Sequence, residues 1–564
     1  MPPLPDSSVP PLFFFNAAEE RISEPLAKQI NLLVSSLSTV IAQQAGPQLL
    51  DVASRLSALC LDSARDGSDH RAEAMELISE LDLESINTLL RSFTAMFHLI
   101  NQSEKQEIVR INRERARAST LDAPRSESIE QAIRHLKSKG WSAPEVEQLL
   151  ARIDIQPTFT AHPTEARRRS ILFKQQAIAA VLSKLQVCEL TPGEAEDALS
   201  DIHHQISLLF ATDEVRSSGM RVETEVEHGL YFIRNSVWET IPRIQQDIRR
   251  AMRRHFGTDV DQRPVVRMRS WIGSDRDGNP FVTPDVTLRT AEVHRKTALE
   301  MYLAELRLLR RDLSVSDRQA PIPASLAESI SRDTDRIQLP AIVVDLYSHE
   351  PYRLKISYMM ARVRHLLGED IIDEGARSGP DAVYTADAFV RDLELLREGL
   401  DESGIGDLAI ASRLVELLDR ARAFGFHLAA LDVRQHSGIL RQAVSAVLKE
   451  AGVTEGYSDL PETDKRELLT RELQNRRPLL SSASRLPEAA SDVLETFRVI
   501  SELVRRDPAS IGSFIVSMTH SVSNLLEVML LGKEVGLWRL VAGKVETALD
   551  VVPLFETIDD LAGA

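Results

Sequence analysis

Cysteine is scarce in this sequence. Among 564 residues there are two, Cys60 and Cys188, which lie far apart along the chain. Two distant cysteines provide neither a disulfide framework nor a cysteine-based zinc site. The sequence therefore predicts a protein of a reducing compartment, and we expect a cytoplasmic location.

Long apolar runs are also lacking. No stretch reaches the roughly 18 consecutive apolar residues that a membrane-spanning helix needs. The first residues are rich in proline and contain no basic side chain before Arg21, so the positive region of a secretory signal is missing. We expect no membrane partner, and we interpret residues 1–20 as a disordered tail.

Positive charge is in deficit. The formal net charge is -17. The negative electrostatic field of such a protein repels polyanions such as nucleic acids and anionic membranes. We therefore expect small-molecule substrates and no nucleic-acid partner. With 43% hydrophobic and 27% charged residues, the composition is typical of a globular protein, with a length sufficient for one very large domain or for several average ones.

Helical periodicity is abundant. Ile30, Leu33, Leu37 and Val40 follow the spacing of one helix face, and a new pattern begins after Gly46-Pro47. Residues 21–154 are predicted to form an all-α N-terminal region. The same periodicity predicts further helices, among others across 222–256, 285–315 and 486–505, in a second region covering residues 155–564.

Five short apolar segments in that second region are predicted to be strands that end in reactive side chains. The segments are 158–160, 265–272, 426–433, 513–517 and 548–555, and the side chains that follow or end them are His162, Asp275, Arg434, His520 and Glu556. Strands with chemistry at their carboxyl ends and helices behind them indicate a (β/α) barrel, whose active sites lie at that face. The segments are much farther apart than the roughly 30 residues of a βαβ unit. We therefore expect a mainly α protein with an incomplete TIM-type barrel, about five of eight strands, and large helical insertions.

The first of these segments has the composition of an anion site. Thr158 and Phe159 favour a strand, Pro163 ends it, and Thr164 is a predicted N-cap. His162 is then expected near the positive end of a helix dipole, beside the run Arg167–Arg169. The alternative is that the histidine and the arginines make ordinary surface contacts.

The second segment ends in a loop, Gly273–Pro280, rich in turn-forming residues. A purely structural turn is one interpretation of this loop. A calcium-binding EF-hand is excluded, because counting from Asp275 the glycine stands fourth and position twelve is Val286, whereas that loop requires glycine at six and glutamate at twelve.

Four segments, taken in order, resemble phosphoenolpyruvate carboxylase. They are Phe159–Ala166 (FTAHPTEA), Ser270–Pro280 (SWIGSDRDGNP), Leu431–Gln435 (LDVRQ) and Val552–Leu561 (VPLFETIDDL). Phe97–Asn101 and Met518–Ser523 are similar to the same family. The likeness covers nearly the whole chain from about residue 25, and we identify the protein as a suspected member of this family.

The resemblance implies an enzyme that carboxylates phosphoenolpyruvate with bicarbonate, giving oxaloacetate and phosphate through carboxyphosphate and an enolate, with Mg²⁺ or Mn²⁺ as cofactor. It also implies site residues. His162 resembles the catalytic histidine that handles carboxyphosphate and its proton, Arg434 the catalytic arginine that binds the substrate phosphate, and Glu556 a metal-ligating glutamate. Leu554 is expected to wall the substrate methylene, and Arg276 is a further substrate-binding candidate.

Two departures from the family pattern stand out. Ser274 replaces a glycine, which would add strain if that backbone needs a positive φ. The chain ends at Ala564, whereas members of the family continue for several hundred residues. We therefore expect an N-terminal portion that lacks the second metal ligand and is inactive alone, with a homotetramer if complete and a complementing C-terminal chain as a further partner. The alternative function is that of a non-catalytic remnant or a helical partner-binding protein.

Overall fold

A computed structural model describes residues 9–160, 168–214, 221–369, 384–406, 412–481 and 484–563. The chain divides into two compact units. The first consists of Met1–Gln131 and Pro163–Met220, and the second of Ala132–His162 and Arg221–Ala564. The predicted domain boundary between residues 154 and 155 stays a prediction.

The first unit is helical. Ser23 caps its first helix, since its side chain accepts a hydrogen bond from the Leu26 amide at 3.2 Å, and Gly46 followed by Pro47 separates that helix from the next. The described helices from the N-terminus to Phe210 are α1 (Glu24–Ala45), α2 (Pro47–Asp66), α3 (Arg71–Ser79), α4 (Leu83–Arg117), α5 (Ile129–Ser138), α6 (Ala143–Arg152), α7 (Arg169–Val187) and α8 (Pro192–Phe210). Most of α5 and all of α6 belong to the second unit.

The core of the first unit confirms the helix face read from the sequence. Leu33, Leu37 and Val40 of α1 are fully buried, and they share one apolar cluster with Ile178 of α7 and Ile206 of α8. Burial of such side chains contributes about 1.5–3 kcal/mol each.

The second unit is also mainly helical. A five-residue π-helix, Ile233–Val237, joins the α-helices Val222–Phe232 and Trp238–Phe256. The predicted helix over 222–256 is therefore present with one interruption. The described helices from Val222 onward are α9 (Val222–Phe232), α10 (Trp238–Phe256), α11 (Pro284–Asp312), α12 (Ala324–Thr334), α13 (Ala341–Leu346), α14 (Pro351–Leu366), α15 (Ala386–Glu402), α16 (Arg413–Phe424), α17 (Ser437–Glu450), α18 (Glu462–Gln474), α19 (Glu488–Arg506), α20 (Val522–Glu534) and α21 (Ile558–Gly563).

A small parallel sheet lies in the second unit. Its five strands lie in chain order as β1 (Thr158–Phe159), β2 (Arg269–Ser270), β3 (Ala430–His436), β4 (Ile511–Ser517) and β7 (Asp550–Pro553), and every neighbouring pair is parallel. A separate antiparallel hairpin is formed by β5 (Trp538–Val541) and β6 (Lys544–Thr547). Because all five strands run in the same direction, their carboxyl ends meet at one edge, which we call the rim.

The sheet confirms the number and order of the predicted strands but changes their lengths. The segment 265–272 pairs as a strand at Arg269–Ser270 alone, with an isolated bridge at Val266. The third strand begins at Ala430 and not at 426, because Leu428 adopts a φ of 64° that no extended strand accommodates. The hairpin Trp538–Thr547 is absent from the sequence-based prediction.

The predicted barrel is not confirmed. In the part of the chain that the structure describes, the sheet is open, with β1 and β7 as its edge strands. The molecule is therefore mainly helical with a small parallel sheet. Among the described helices we find none whose length and apolar character would suffice to cross a bilayer.

Candidate active site

Arg434 stands on β3 near the rim, and the loop after β2 joins it there. The Arg434 amide donates to the Ser274 carbonyl at 3.2 Å, and the Arg276 amide donates to the Arg434 carbonyl at 2.9 Å. These two bonds extend the pairing of β2 with β3 beyond Ser270. Residues far apart in the sequence are thereby held side by side.

A bidentate ion pair connects the two segments. Arg434 Nε lies 2.8 Å from Asp275 Oδ1, and Nη2 lies 2.9 Å from Asp275 Oδ2. The third nitrogen, Nη1, is 3.8 Å from Asp277 Oδ2. The guanidinium carbon lies 5.0 Å from the centre of the Trp271 ring, a cation–π distance. The arginine is thus held along one edge by a carboxylate and on one face by an indole.

Glu556 is close enough to Arg434 to influence its charge. Burial of the guanidinium disfavours its charged form, but the hydrogen bond to Asp275 and the charges of Asp275, Asp277 and Glu556 outweigh that effect and raise the pKa of Arg434. Arg434 therefore pairs with Asp275 and lies within electrostatic range of two more carboxylates, those of Asp277 and Glu556. This group of four charges is net negative.

The end of β7 places Leu554 and Glu556 at the rim. The Leu554 amide donates to the Val516 carbonyl at 2.9 Å, and the Thr519 amide donates to the Leu554 carbonyl at 3.2 Å, so the chain beyond β7 is fixed beside the end of β4. Leu554 is half-buried and Glu556 is exposed. Within the described residues no hydrogen bond or ion pair holds the Glu556 carboxylate.

A histidine and an aspartate form a further pair at the end of β4. His520 Nδ1 lies 2.6 Å from Asp560 Oδ1, and Asp560 Oδ2 accepts a hydrogen bond from the Thr557 amide at 3.2 Å. The bond to His520 is the main cause that lowers the pKa of Asp560. The carboxylate thus ties the segment after β4 to the segment that carries Glu556.

Glycine is required at 273 but not at 274. Gly273 has a φ of 80°, and a Cβ there would lie 2.2 Å from Thr290 Oγ1. Ser274 does not adopt a positive φ, so its difference from the family pattern adds no strain of that kind. Its buried hydroxyl donates to the Asp432 carbonyl at 2.8 Å, which strengthens the junction of β2 and β3.

Two predicted site residues, Arg276 and His162, are not joined to Arg434 and its carboxylate partners in the described structure. The guanidinium of Arg276 binds Asp492 and Thr496 on α19, so this side chain anchors the loop to a helix. His162 and the predicted N-cap Thr164 lie outside the described residues. The following helix begins at Arg169, and Arg168 before it has an extended backbone conformation.

A comparison with known families identifies the chain's relatives. The family model for phosphoenolpyruvate carboxylase matches residues 26–564. The chain belongs to the phosphoenolpyruvate carboxylase family. This confirms the resemblance drawn from the sequence motifs.

Curated members of the phosphoenolpyruvate carboxylase family are similar over almost the whole chain. The protein named phosphoenolpyruvate carboxylase from Rhodothermus marinus is 51% identical over 551 residues, which are 96% of this chain and 58% of that protein. The one from Thermus thermophilus is 36% identical and the one from Nocardia farcinica 34% identical, with 96% and 97% of this chain and 57% and 59% of those proteins covered. The chain therefore spans just under three fifths of the length of these relatives.

The donor groups at the rim fit a hard divalent cation in part. Glu556 offers an exposed carboxylate, the oxygen ligand that Mg²⁺ and Mn²⁺ prefer, and the net negative charge around Arg434 favours a cation. A complete site is not assembled, because no group of three or more metal-ligating side chains occurs among the described residues. A single exposed carboxylate at Glu556 is fewer than the several oxygen donors that such a cation normally requires.

Sequence reasoning missed the partners of Arg434. The sequence places Asp275 among the reactive side chains at the strand ends but does not connect it with Arg434, and it indicates no role for Trp271 or Asp277. A usable signal was present, since polar side chains directly after parallel strands gather at one edge. Nothing in the sequence indicated which of several acids would pair with Arg434.

Proposed function

We propose that the chain takes part in the carboxylation of phosphoenolpyruvate by bicarbonate, which yields oxaloacetate and phosphate. Membership of the family supports this proposal. The observation that carries it is that Arg434 and Glu556, two predicted site residues, come from β3 and from the segment just after β7, at the carboxyl ends of two strands of one parallel sheet.

Arg434 is proposed to bind the phosphoryl group. Its Nε and Nη2 are occupied by Asp275, whereas Nη1 lies 3.8 Å from Asp277, beyond hydrogen-bond distance. The protons on Nη1 are therefore available to a phosphoryl oxygen. A guanidinium held in a fixed orientation stabilises developing charge without reorganising during the reaction.

Leu554 and His162 complete the proposed set. Leu554 is half-buried at the rim beside the end of β4, a position from which an aliphatic side chain can cover the methylene group of the substrate. His162 is proposed to handle carboxyphosphate and its proton, as the family resemblance implies. Arg276 is proposed to keep the loop in place through Asp492 and Thr496, with direct substrate contact left as a prediction.

Glu556 is the proposed ligand of Mg²⁺ or Mn²⁺. A divalent cation would stabilise the negative charge that develops on the enolate and on phosphate oxygens. The charge at the rim supports this assignment. A phosphate anion brought to one guanidinium and three carboxylates would be repelled by net negative charge, and a divalent cation offsets that repulsion.

The open sheet is proposed to be part of an α/β barrel. Five parallel strands in chain order, with helical segments between them and the candidate site at their carboxyl ends, are the features typical of that architecture. The family-type homotetramer, a complementing C-terminal chain and a cytoplasmic location remain predictions.

The proposal is tested by two measurements on the chain. Calorimetric titration with phosphoenolpyruvate in the presence of Mg²⁺ or Mn²⁺ measures binding, and release of phosphate with and without bicarbonate measures turnover. The turnover assay is run on the chain alone and with the product encoded immediately downstream. We expect binding of phosphoenolpyruvate that depends on the cation. We expect no appreciable phosphate release by the chain alone, and bicarbonate-dependent phosphate release when the downstream product is added.

Failure of both measurements would favour the second candidate, a non-catalytic remnant or helical protein that binds partners. One observation speaks for such a role. β7 is an edge strand whose Val552 is 42% exposed, and unpaired strand edges are sites of association. Absence of phosphoenolpyruvate binding under all conditions would contradict the carboxylase proposal.

A further inference from the structure

A buried carboxylate lies one layer below the rim arginine. Asp432 precedes Arg434 by two residues on β3, and side chains two apart on a strand point to the same face. Asp432 is 6% exposed. It is therefore the nearest residue beneath Arg434 on that face of the strand, and it does not contribute to the ion pair with Asp275.

Three donors converge on Asp432. Oδ1 accepts from the Ser513 amide at 2.9 Å and from Arg269 Nη1 at 3.2 Å, and Oδ2 accepts from Trp271 Nε1 at 3.3 Å. The register of β3 against β4 shifts at this point, so the carboxylate accepts a backbone amide at an irregularity of the ladder. Bulges of this kind are frequent next to active sites, where they redirect side chains.

The space for this network is built into β4. A Cβ on Gly512 would lie 1.3 Å from Arg269 Nη1 and 2.3 Å from Asp432 Oδ1. The guanidinium of Arg269 is also held from the other side, since Nε donates to Gln156 Oε1 at 2.9 Å. Arg269 on β2 and Asp432 on β3 are thus fixed by the segment before β1 and by β4. Asp432 offers a rigid acceptor to the indole.

Trp271 connects this network to the rim. Its indole N–H is bound by Asp432, and its ring lies 5.0 Å from the guanidinium carbon of Arg434. Asp275 fixes the edge of the same guanidinium at 2.8 and 2.9 Å. A carboxylate at one edge leaves the guanidinium free to tilt, whereas a ring against its face restricts that movement as well.

We propose that Asp432 is a positioning residue for Arg434 that acts through the indole of Trp271. Asp432 orients the ring, the ring supports the face of the guanidinium, and Nη1 is thereby held ready for an anion. The importance of Asp432 for catalysis rests on the proposed function. The orientation of the Trp271 ring by its hydrogen bond to Asp432 is independent of that function.

The link is tested by a double-mutant cycle on binding of phosphoenolpyruvate with Mg²⁺, measured by calorimetry. Asp432→Asn and Trp271→Phe are each expected to weaken affinity about tenfold, and the double variant about tenfold as well, because residues that act through one another are not additive. A combined loss of about 100-fold, the product of two independent effects, would overturn the proposal.

Asp419→Asn is the matched control. Asp419 is another buried aspartate paired with an arginine in the same unit, 1% exposed and bound to Arg249, but it joins α10 and α16 and has no contact with Trp271. This variant is expected to leave affinity within about twofold of wild type and to be additive with Trp271→Phe.

A spectroscopic measurement separates the link from the proposed function. The fluorescence of Trp271 is obtained as the difference between a protein and its Trp271→Phe variant, with and without Asp432→Asn. We expect the Trp271 component to shift to longer wavelength and to become more accessible to acrylamide in Asp432→Asn, and to be unchanged in Asp419→Asn. An unchanged Trp271 component in Asp432→Asn would overturn the proposal, even if wild type binds no phosphoenolpyruvate.

If Asp432→Asn does not fold, Trp271→Phe still tests the proposal. Trp271→Phe keeps an aromatic ring and the Arg269–Asp432 pair, and it removes the N–H that Asp432 binds. Retention of full affinity in this variant would contradict the role of the indole. Cooperative unfolding by circular dichroism establishes that each variant is folded before affinity is compared.

Discussion

Two bidentate arginine–aspartate pairs in the same unit differ in what surrounds them. Arg249 and Asp419 join α10 to α16 at 2.5 and 3.0 Å, and Asp419 is 1% exposed. Arg434 and Asp275 meet at 2.8 and 2.9 Å at the rim, with 20% and 12% of their side chains exposed. The first pair lies between two helices away from the rim, and the second lies at the rim, in the candidate site.

The difference lies in the number of carboxylates each arginine faces. Burial raises the pKa of Asp419, Arg249 and Arg422 oppose that shift, and Asp261 adds to it. Among the described residues, Arg249 itself forms an ion pair with Asp419 alone. Arg434 faces Asp275, Asp277 and Glu556 together. The same side-chain geometry therefore stabilises the fold in one place, and in the other it forms part of a net negative group suited to a cation and an anionic substrate.

The largest effect is expected from exchanging the two arginines for glutamine. Arg434→Gln should weaken binding of phosphoenolpyruvate by about 100-fold, or about 3 kcal/mol, and should change the free energy of unfolding by less than about 1 kcal/mol because the pair is partly exposed. Arg249→Gln should lower the free energy of unfolding by about 3 kcal/mol and leave affinity unchanged. Calorimetry and urea denaturation measure the two quantities. Similar behaviour of both variants would remove the distinction between the two pairs.

The stability of the helical part of this unit is expected to depend on pH through His294 on α11. Complete burial, with small contributions from His427 and Arg234, lowers the pKa of His294 from 6.5 to about 4, although its bond to the Ala429 carbonyl acts in the opposite direction. The unfolded chain binds a proton that the folded protein cannot, so stability is present above pH 6.5 and is lost as pH falls towards 4.

For His294→Gln we expect a flatter dependence of the free energy of unfolding on pH, with a difference from wild type of about 3 kcal/mol between neutral pH and pH 4. Urea denaturation at several pH values measures it. His135→Gln, at an exposed position of α5, is the control and should follow wild type. A wild-type slope retained in His294→Gln would show that this histidine does not couple folding to pH.

The rim carboxylates allow a test of the cation. Glu556→Gln should weaken the binding of Mn²⁺ by about 10-fold or more, as losses of metal-site groups commonly do. Asp559→Asn removes an equal charge from an exposed position three residues further on and should have a much smaller effect. Mn²⁺ binding is followed by electron paramagnetic resonance. Equal losses in both variants would indicate a general effect of charge and not a ligand.

The smallest effect is expected from the glycine beneath the rim. Gly512→Ala would force Arg269 or Asp432 from its position and should lower the free energy of unfolding by about 1–2 kcal/mol. Gly456 has a φ of -114° and nothing within 4 Å of the added Cβ, so Gly456→Ala is the control and should be near neutral. Thermal denaturation distinguishes the two variants, and equal melting temperatures would mean that the network yields to an added methyl group.

Much of this structure was predictable from the sequence. The apolar face of α1 follows from the spacing of Leu33, Leu37 and Val40, because a period near 3.6 places them on one side of a helix. The five parallel strands and their order follow from short apolar segments that end in polar residues. Strand lengths were not predictable. Residues 265–272 are mixed, with Arg267 and Arg269 among apolar side chains, and the extent of the ladder depends on the neighbouring strand.

The sequence by itself determined the family, through motifs around Arg434 and Glu556, and the helical character of the chain, through periodicity that acts over a few residues. The tertiary structure decided which groups meet. Asp275 pairs with Arg434 across 159 residues, and Asp432 reaches Trp271 across 161, because the register of neighbouring strands sets these contacts. Register depends on the packing of long helical insertions between the strands, and local sequence patterns do not encode it.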